Sequence, residues 1–213
     1  LTGETKEDDV SGLREKQKAM RRQAISEAAV RLFEKQGYQD TTVEQIAREA
    51  NVSAPTVFTY FGSKQEILLE MLREGDRIAL GNARAQMSKF DNPVEALCYL
   101  NKQIVDYTFA TLRPSLWREI LPMVLIGGGD NGLPEAYKNV NDALMAEVSA
   151  LLQELKDEGK IRTDLDVDLA AFLFNDYSHL QLLRLTSQEP MDLDAYAQQV
   201  RRITTLIFQG MRP

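Results

Sequence analysis

The chain has one cysteine and one histidine in 213 residues, and each scarcity excludes a class of protein. A lone Cys98 rules out an intramolecular disulfide, and its neighbours Ala96, Leu97, Tyr99 and Leu100 point to a buried structural thiol rather than a redox sensor. A lone His179, with Asp176 its nearest acidic neighbour in sequence, leaves no multi-histidine metal site and only one place to build a catalytic triad. It reads as a core or interface residue, with effector bonding as the alternative. No enzymatic activity, metal or cofactor is expected. No stretch approaches the roughly 20 apolar residues that span a bilayer, and the acidic residues 1–12 do not resemble a secretory leader, so no membrane partner and a cytoplasmic location are expected. Strand signals are as scarce, with no alternating β-branched run bounded by turn pairs. The run Gly127-Gly128-Gly129-Asp130 lacks the strand, Lys and Ser/Thr of a phosphate-binding loop and reads as a flexible connection.

Positive charge is also short, with 25 Lys and Arg against 32 Asp and Glu. A protein that coats nucleic acid with its whole surface needs cations over the phosphates, so that class is excluded. The deficit is uneven. Residues 10–64 hold nine basic against six acidic side chains, whereas residues 65–213 hold fifteen against twenty-two. That asymmetry predicts a small nucleic-acid-facing module on an acidic body.

Apolar residues recur at three- and four-residue spacing nearly throughout, so the fold is predicted to be all-α. Three parts are expected: a flexible tail over 1–12, a three-helix helix-turn-helix domain over 13–62, and a larger helical domain over 63–213. The first helix is predicted to begin near Leu13, turn Ala24, Ala28, Leu32 and Phe33 inward, and stop at Gly37. Its basic run of Arg14, Lys16, Lys18, Arg21 and Arg22 is either a solvated face or a phosphate contact. Ser63 and Glu66 have capping-box spacing, so a long helix follows and passes Arg77. Pro93, Pro114 and the glycine run bound helices near 94–112 and 115–126, with Pro122 kinking or ending part of the second. A stripe of Tyr137, Val140, Leu144, Val148, Leu151 and Leu155 predicts a helix from about Pro134 to Gly159. Two more are expected near 168–186 and 193–211. The first carries Leu169, Phe172, Leu173, Tyr177 and Leu180, widened by Ala170, Phe174 and Leu185; the second carries Tyr196, Val200, Ile203, Ile207 and Met211. Arcs so broad are either central or covered by another subunit.

The most informative stretch runs from Thr41 to Phe61. Thr42 and Gln45 form a capping box, and Val43, Ile46, Ala47 and Ala50 make the packed face of a short helix. Asn51 supplies a left-handed turn, Val52 plugs the corner, and Ser53 caps a second helix whose first turn tolerates Pro55. Val57, Phe58 and Phe61 are spaced to face inward, leaving Ala54, Pro55, Thr56, Thr59 and Tyr60 outward. Such a helix fits a major groove with its N-terminal turns nearest the base edges. Thr56 suits a base or phosphate, Ala54 and Pro55 a thymine methyl, and Thr42, Tyr60 and Lys64 the phosphates. The second helix carries no Arg or Gln, so shape readout is expected to carry more of the specificity. The alternatives are a helix pair that is ordinary core packing, and a helical interaction scaffold that binds no DNA.

Thr-Val-Glu-Gln-Ile-Ala at 42–47, Asn-Val-Ser-Ala-Pro-Thr-Val-Phe-Thr-Tyr-Phe at 51–61 and Ser-Lys-Gln-Glu-Ile-Leu at 63–68 follow a Phe-Glu-Lys-Gln-Gly-Tyr entry at 33–38. Together, over about Ile25 to Leu72, they resemble the DNA-binding signature of the tetracycline-repressor (TetR) family. Asn51 replaces the usual glycine, and Phe58 stands where a tyrosine is common, which removes a hydroxyl and takes Phe58 out of the expected contacts. The resemblance implies phosphate contacts at Thr42, Tyr60 and Lys64 and base-facing positions at Ser53, Ala54, Thr56 and Thr59. It also implies a homodimer through the helices near 168–186 and 193–211, an inverted-repeat DNA operator, and an unidentified small apolar or amphipathic effector that releases a repressor. Tyr99, Tyr107, Phe109, Trp117, Met123 and Phe172 are the candidate pocket, with plain core packing as the alternative for each.

Overall fold

A computed structural model describes residues 4–87, 89–125 and 133–209, and every described element is helical. The helices are α1 (Glu4–Gln36), α2 (Val43–Glu49), α3 (Ala54–Phe61), α4 (Lys64–Met87), α5 (Pro93–Thr111), α6 (Pro114–Leu125), α7 (Leu133–Asp157), α8 (Val167–Thr186) and α9 (Leu193–Gln209). The chain divides into two compact units, Leu1–Leu68 and Leu69–Pro213, so the division falls inside α4 rather than at residue 62. Among the described residues no helix is long and apolar enough to cross a membrane.

In the first unit α1 starts at Glu4, and the tail expected over residues 1–12 is helical from there on. Ile25, Ala28, Ala29 and Phe33 are buried, and Gly37 ends the helix at φ 88°, its amide donating to the Phe33 carbonyl at 2.9 Å. Only a positive φ turns the chain so sharply there, and glycine adopts it without a Cβ clash. The Phe33 and Tyr38 rings pack 5.3 Å apart across that turn. Ile46, Ala47, Val57 and Phe61 bring α2 and α3 into the same core.

The second unit buries Leu97, Leu100, Leu151, Leu152, Leu155 and Phe174 where α5, α7 and α8 meet. The α7 stripe faces inward as its spacing predicts, with Val140, Val148, Leu151 and Leu155 nearly inaccessible. Pro122 lies within α6, which continues past it to Leu125. The apolar arc of α8 splits in two. Ala170, Ala171, Phe174, Leu182 and Leu185 are buried, whereas Leu169, Phe172, Leu173 and Leu180 are 44–53% exposed. On α9 Tyr196, Val200 and Thr204 turn inward and Leu206 stays out. Cys98 is half-buried and unpaired, its thiol pushed up chiefly by burial. The glycine run and Met211 lie outside the described residues.

The turn between α2 and α3 is the strained point of the first unit. Asn51 sits at φ 54°, where an L-residue with an ordinary Cβ is disfavoured by about 1–2 kcal/mol and Asn or Gly is tolerated. Asn51→Ala is expected to lower stability by about 1 kcal/mol in urea unfolding, while Asn51→Gly leaves the midpoint nearly unchanged.

Candidate nucleic-acid interface and effector cavity

The two short helices are held by their polar ends. Thr42 Oγ1 accepts from the Gln45 amide at 3.3 Å while Gln45 Oε1 accepts from the Thr42 amide at 2.8 Å, closing the capping box. The Val52 amide reaches back to the Ala47 carbonyl at 2.9 Å. Ser53 Oγ accepts from the Thr56 amide at 3.3 Å and lies 2.8 Å from Thr56 Oγ1, and Pro55 occupies the first turn, where a missing N–H leaves no gap. Gly62 closes α3 at φ 79°.

This arrangement presents Pro55, Phe58 and Thr59 to solvent, with Ala54, Thr56 and Tyr60 half-buried beside them. Phe58 corrects the sequence reading: it is 49% exposed and does not join Val57 and Phe61 in the core. Thr59 Oγ1 donates to the Pro55 carbonyl at 2.8 Å and keeps a lone pair facing outward. Thr42 is exposed at the start of α2.

The flanking cations do different things. Arg14, Lys16, Lys18 and Arg21 are exposed along α1. Arg22 instead donates to the Tyr60 carbonyl at 2.8 Å and lies 4.5 Å from the Phe61 ring centroid, bracing α1 against the end of α3. Arg31 pairs with Glu49 across α1 and α2 at 3.0 Å. Lys64, expected at a phosphate, donates to the carbonyls of Tyr38, Thr41 and Gln39 at 2.8, 2.7 and 3.3 Å and sits 4.4 Å from the Tyr38 ring centroid. An ammonium has three donors, and all three are engaged.

In the second unit the walls of α4, α5, α6, α7, α8 and α9 enclose a cavity of about 60 Å³. Of the six residues expected there, Tyr107 and Trp117 line it. Tyr99 packs on Phe90 at 5.3 Å between ring centroids, Phe172 is 47% exposed, and Phe109 and Met123 are absent from the wall. The wall contains polar groups that sequence reading passed over: Asp76, Asn101, Asn141, Asn175 and the Tyr137–His179 pair. Their signal was present, since Asn141 follows Tyr137 by four residues inside the α7 stripe, and Asn175 and His179 precede Leu182 on a buried face of α8.

His179 Nε2 lies 2.8 Å from Tyr137 Oη and Nδ1 lies 3.0 Å from the Asn175 carbonyl, an arrangement satisfied by a neutral ring with its proton on Nδ1. Burial lowers its pKa despite the Asn175 carbonyl and Asp176. Burial likewise holds the Tyr137 hydroxyl protonated. Asn101 Nδ2 donates to Ser178 Oγ and its Oδ1 accepts from Tyr196 Oη, both at 3.0 Å, tying α5 to α8 and α9. Burial alone pushes Asp76 up to about 7. Among the described residues no group of three or more His, Cys, Asp or Glu is placed to hold a metal ion.

The first unit is thus a helix-turn-helix with one exposed edge. Residues 25–71 match the family described as bacterial regulatory proteins, tetR family. The HTH-type transcriptional regulator HbdR of Aromatoleum sp. is 42% identical over 79 residues, 37% of this chain and 34% of that protein. That match spans about a third of the relative's length. Over 89% of this chain and 95% of the other, a TetR-family regulator from Syntrophomonas wolfei has the same fold at TM-score 0.74 and 18% identity. Thermus thermophilus FadR, a TetR-family repressor solved with lauroyl-CoA, reaches TM-score 0.65 at 25% identity, over 86% of this chain and 93% of that one.

The Lys64 clamp predicts a stability effect. Lys64→Met removes the donor from three carbonyls and is expected to lower unfolding stability by about 1–3 kcal/mol, measured in urea. A stability equal to the parent's would show that the clamp contributes nothing.

Proposed function

We propose that the chain is a dimeric, effector-responsive transcriptional repressor that binds an inverted-repeat operator through α2 and α3. The observation that carries this reading is the exposed, uncharged edge of α3, fixed by caps at both ends and flanked by the cations of α1. Thr42 and Tyr60 engage phosphates, while Ser53, Ala54, Pro55, Thr56 and Thr59 face the bases. Phe58 joins that edge, its ring suited to thymine methyls and deoxyribose. Lys64 serves the interface by holding α4 to the turns before α2 rather than as a free cation.

Leu169, Phe172, Leu173 and Leu180 form an apolar face on α8 that a lone subunit leaves in water. A second copy covering it by two-fold symmetry gives two reading heads, which suit half-sites roughly 34–36 Å apart. The cavity in residues 69–213 receives the effector, and the lauroyl-CoA bound by the Thermus protein supports an amphipathic molecule. Release follows when the effector binds the DNA-incompetent state more tightly than the competent one. A regulator of this kind works in the cytoplasm, where its operator is.

Selection of bound duplexes from random DNA is expected to recover an inverted repeat; recovery of no preferred sequence would end the proposal. Phe58→Ala is expected to leave the melting temperature unchanged, weaken operator binding about tenfold, equivalent to roughly 1.4 kcal/mol, and keep the salt slope, since no phosphate contact is lost. Leu173→Glu is expected to sediment as a monomer at micromolar concentration while remaining helical. A parent chain that sediments as a monomer would overturn the assembly.

A further inference from the structure

The cavity has a chemical bias that the family likeness does not supply. Among the described residues that line it, none is lysine or arginine, and Asp76 is the one acid. Its polar groups divide into those already satisfied and those left over. The satisfied ones are His179 with Tyr137 and the Asn175 carbonyl, and Asn101 with Ser178 and Tyr196. The leftover ones are acceptors. Asn141 Oδ1 is buried with no hydrogen-bond partner. No side chain among the described residues donates to the Asp76 carboxylate.

An unpaired buried acceptor is unfavourable by about 1–3 kcal/mol, and the half-buried Asp76 carboxylate, with no side-chain donor, is desolvated without compensation. Two such groups on the wall of one cavity are both relieved by the same kind of guest, one rich in N–H donors and positively charged. We propose that the effector carries a protonated amine or related cationic nitrogen group, which Asp76 pairs with and Asn141 accepts from. The inference rests on the reading of this cavity as the effector site and names its ligand class. Tyr107, Trp117, Tyr137, Phe174 and Tyr196 surround the same space and suit the apolar part of such a cation. An anionic head meets no cation inside and meets Asp76.

Asp76, Val140 and Leu144 also border an open groove of about 500 Å³ between α4 and α7. The groove's charged residues Arg73, Arg77, Arg84 and Glu147 are therefore its other ionic surroundings, together with His179, Tyr107 and Tyr137 in the cavity. Arg77 pairs with Glu74 and Arg84 with Glu147 and Glu154. The cavity alone has room for roughly four to six water molecules, so a guest larger than a short amine extends into this groove.

The test uses the full chain with butylamine, 1-butanol and butyrate as size-matched probes, read by titration calorimetry and thermal melting. At pH 8 butylamine is expected to bind at least tenfold more tightly than the other two. Its affinity is expected to fall about tenfold between pH 8 and pH 6, because Asp76 takes up a proton across that window while the amine stays charged. Asp76→Asn is expected to fold at least as stably as the parent, since it removes a buried acid, and to lose both the preference and the pH dependence; Asp76→Glu is expected to retain them. Equal binding of butanol or butyrate, an amine affinity indifferent to Asp76→Asn, or no amine binding would each overturn the proposal. Lauroyl-CoA and operator DNA separate it from the broader reading. Release of operator by lauroyl-CoA with no amine binding overturns the ligand class and leaves effector control standing. Amine binding at Asp76 with operator affinity unchanged supports the site and removes its effector role.

Discussion

Helices of seven and eight residues are too short to persist alone in water, because nucleation is unfavourable and few hydrogen bonds follow it. The reading head therefore depends on what is done at the ends of α2 and α3. Thr42 with Gln45, Asn51 in the left-handed region, Ser53 under Thr56 and Gly62 beyond Phe61 each satisfy a terminal group or turn the chain. Arg22 and Lys64 complete the frame by donating to backbone carbonyls that the helices cannot use. Two cations near the proposed DNA surface are thus engaged internally. In the proposed complex, attraction to phosphate would fall to the exposed Arg14, Lys16, Lys18 and Arg21 on α1, and to the free amides at helix N-termini.

What could be read from sequence follows from how local each determinant is. The caps and the Asn51 turn depend on residues three or four apart and on one backbone angle, so they were legible, as was the inward stripe of α7. The Lys64 clamp depends on carbonyls 23 to 26 residues away, brought near only by the packed unit. Phe58 was misjudged because an eight-residue helix has little inward surface. Val57 and Phe61 are four residues apart and share a face, and Phe58, about 100° further round from Val57, falls outside it. The cavity was sought among aromatic residues, but most of those belong to other contacts, and the polar residues inside buried stripes were the better guide. On α8 the breadth of the apolar arc was evident, whereas its division into a core face and an exposed face required the packing of α6, α7 and α9 against it.

The α4 helix carries Lys64 near its start and Asp76 twelve residues later, so one continuous element bears both a clamp of the first unit and the one acid among the described residues that line the cavity. A ligand moves a two-state equilibrium only through the difference in its affinity for the two states. An ion pair formed at Asp76 is sensitive to small displacements, since the attraction inside a poorly solvated cavity depends steeply on distance and on how water is excluded. A hydrocarbon tail packed in the same space makes many weak contacts that tolerate sliding. Charge recognition at Asp76 is therefore the more discriminating means by which occupancy of the cavity would select one position of α4 over another.

With no side-chain donor among the described residues, the desolvated Asp76 holds a proton up to about pH 7. His179 is neutral for the same reason, burial, and its two nitrogens are already used. A cation entering near neutral pH displaces the proton and leaves the cavity with the same net charge that it had before. Neutral guests can donate to Asn141 or Asp76 but bring no charge to pair with the carboxylate, and anions would force Asp76 to stay protonated without offering Asn141 a donor. The discrimination among guests thus arises from which acceptors the fold has left unmatched, a property set by the polar residues of α4 and α7 rather than by the size of the space between them.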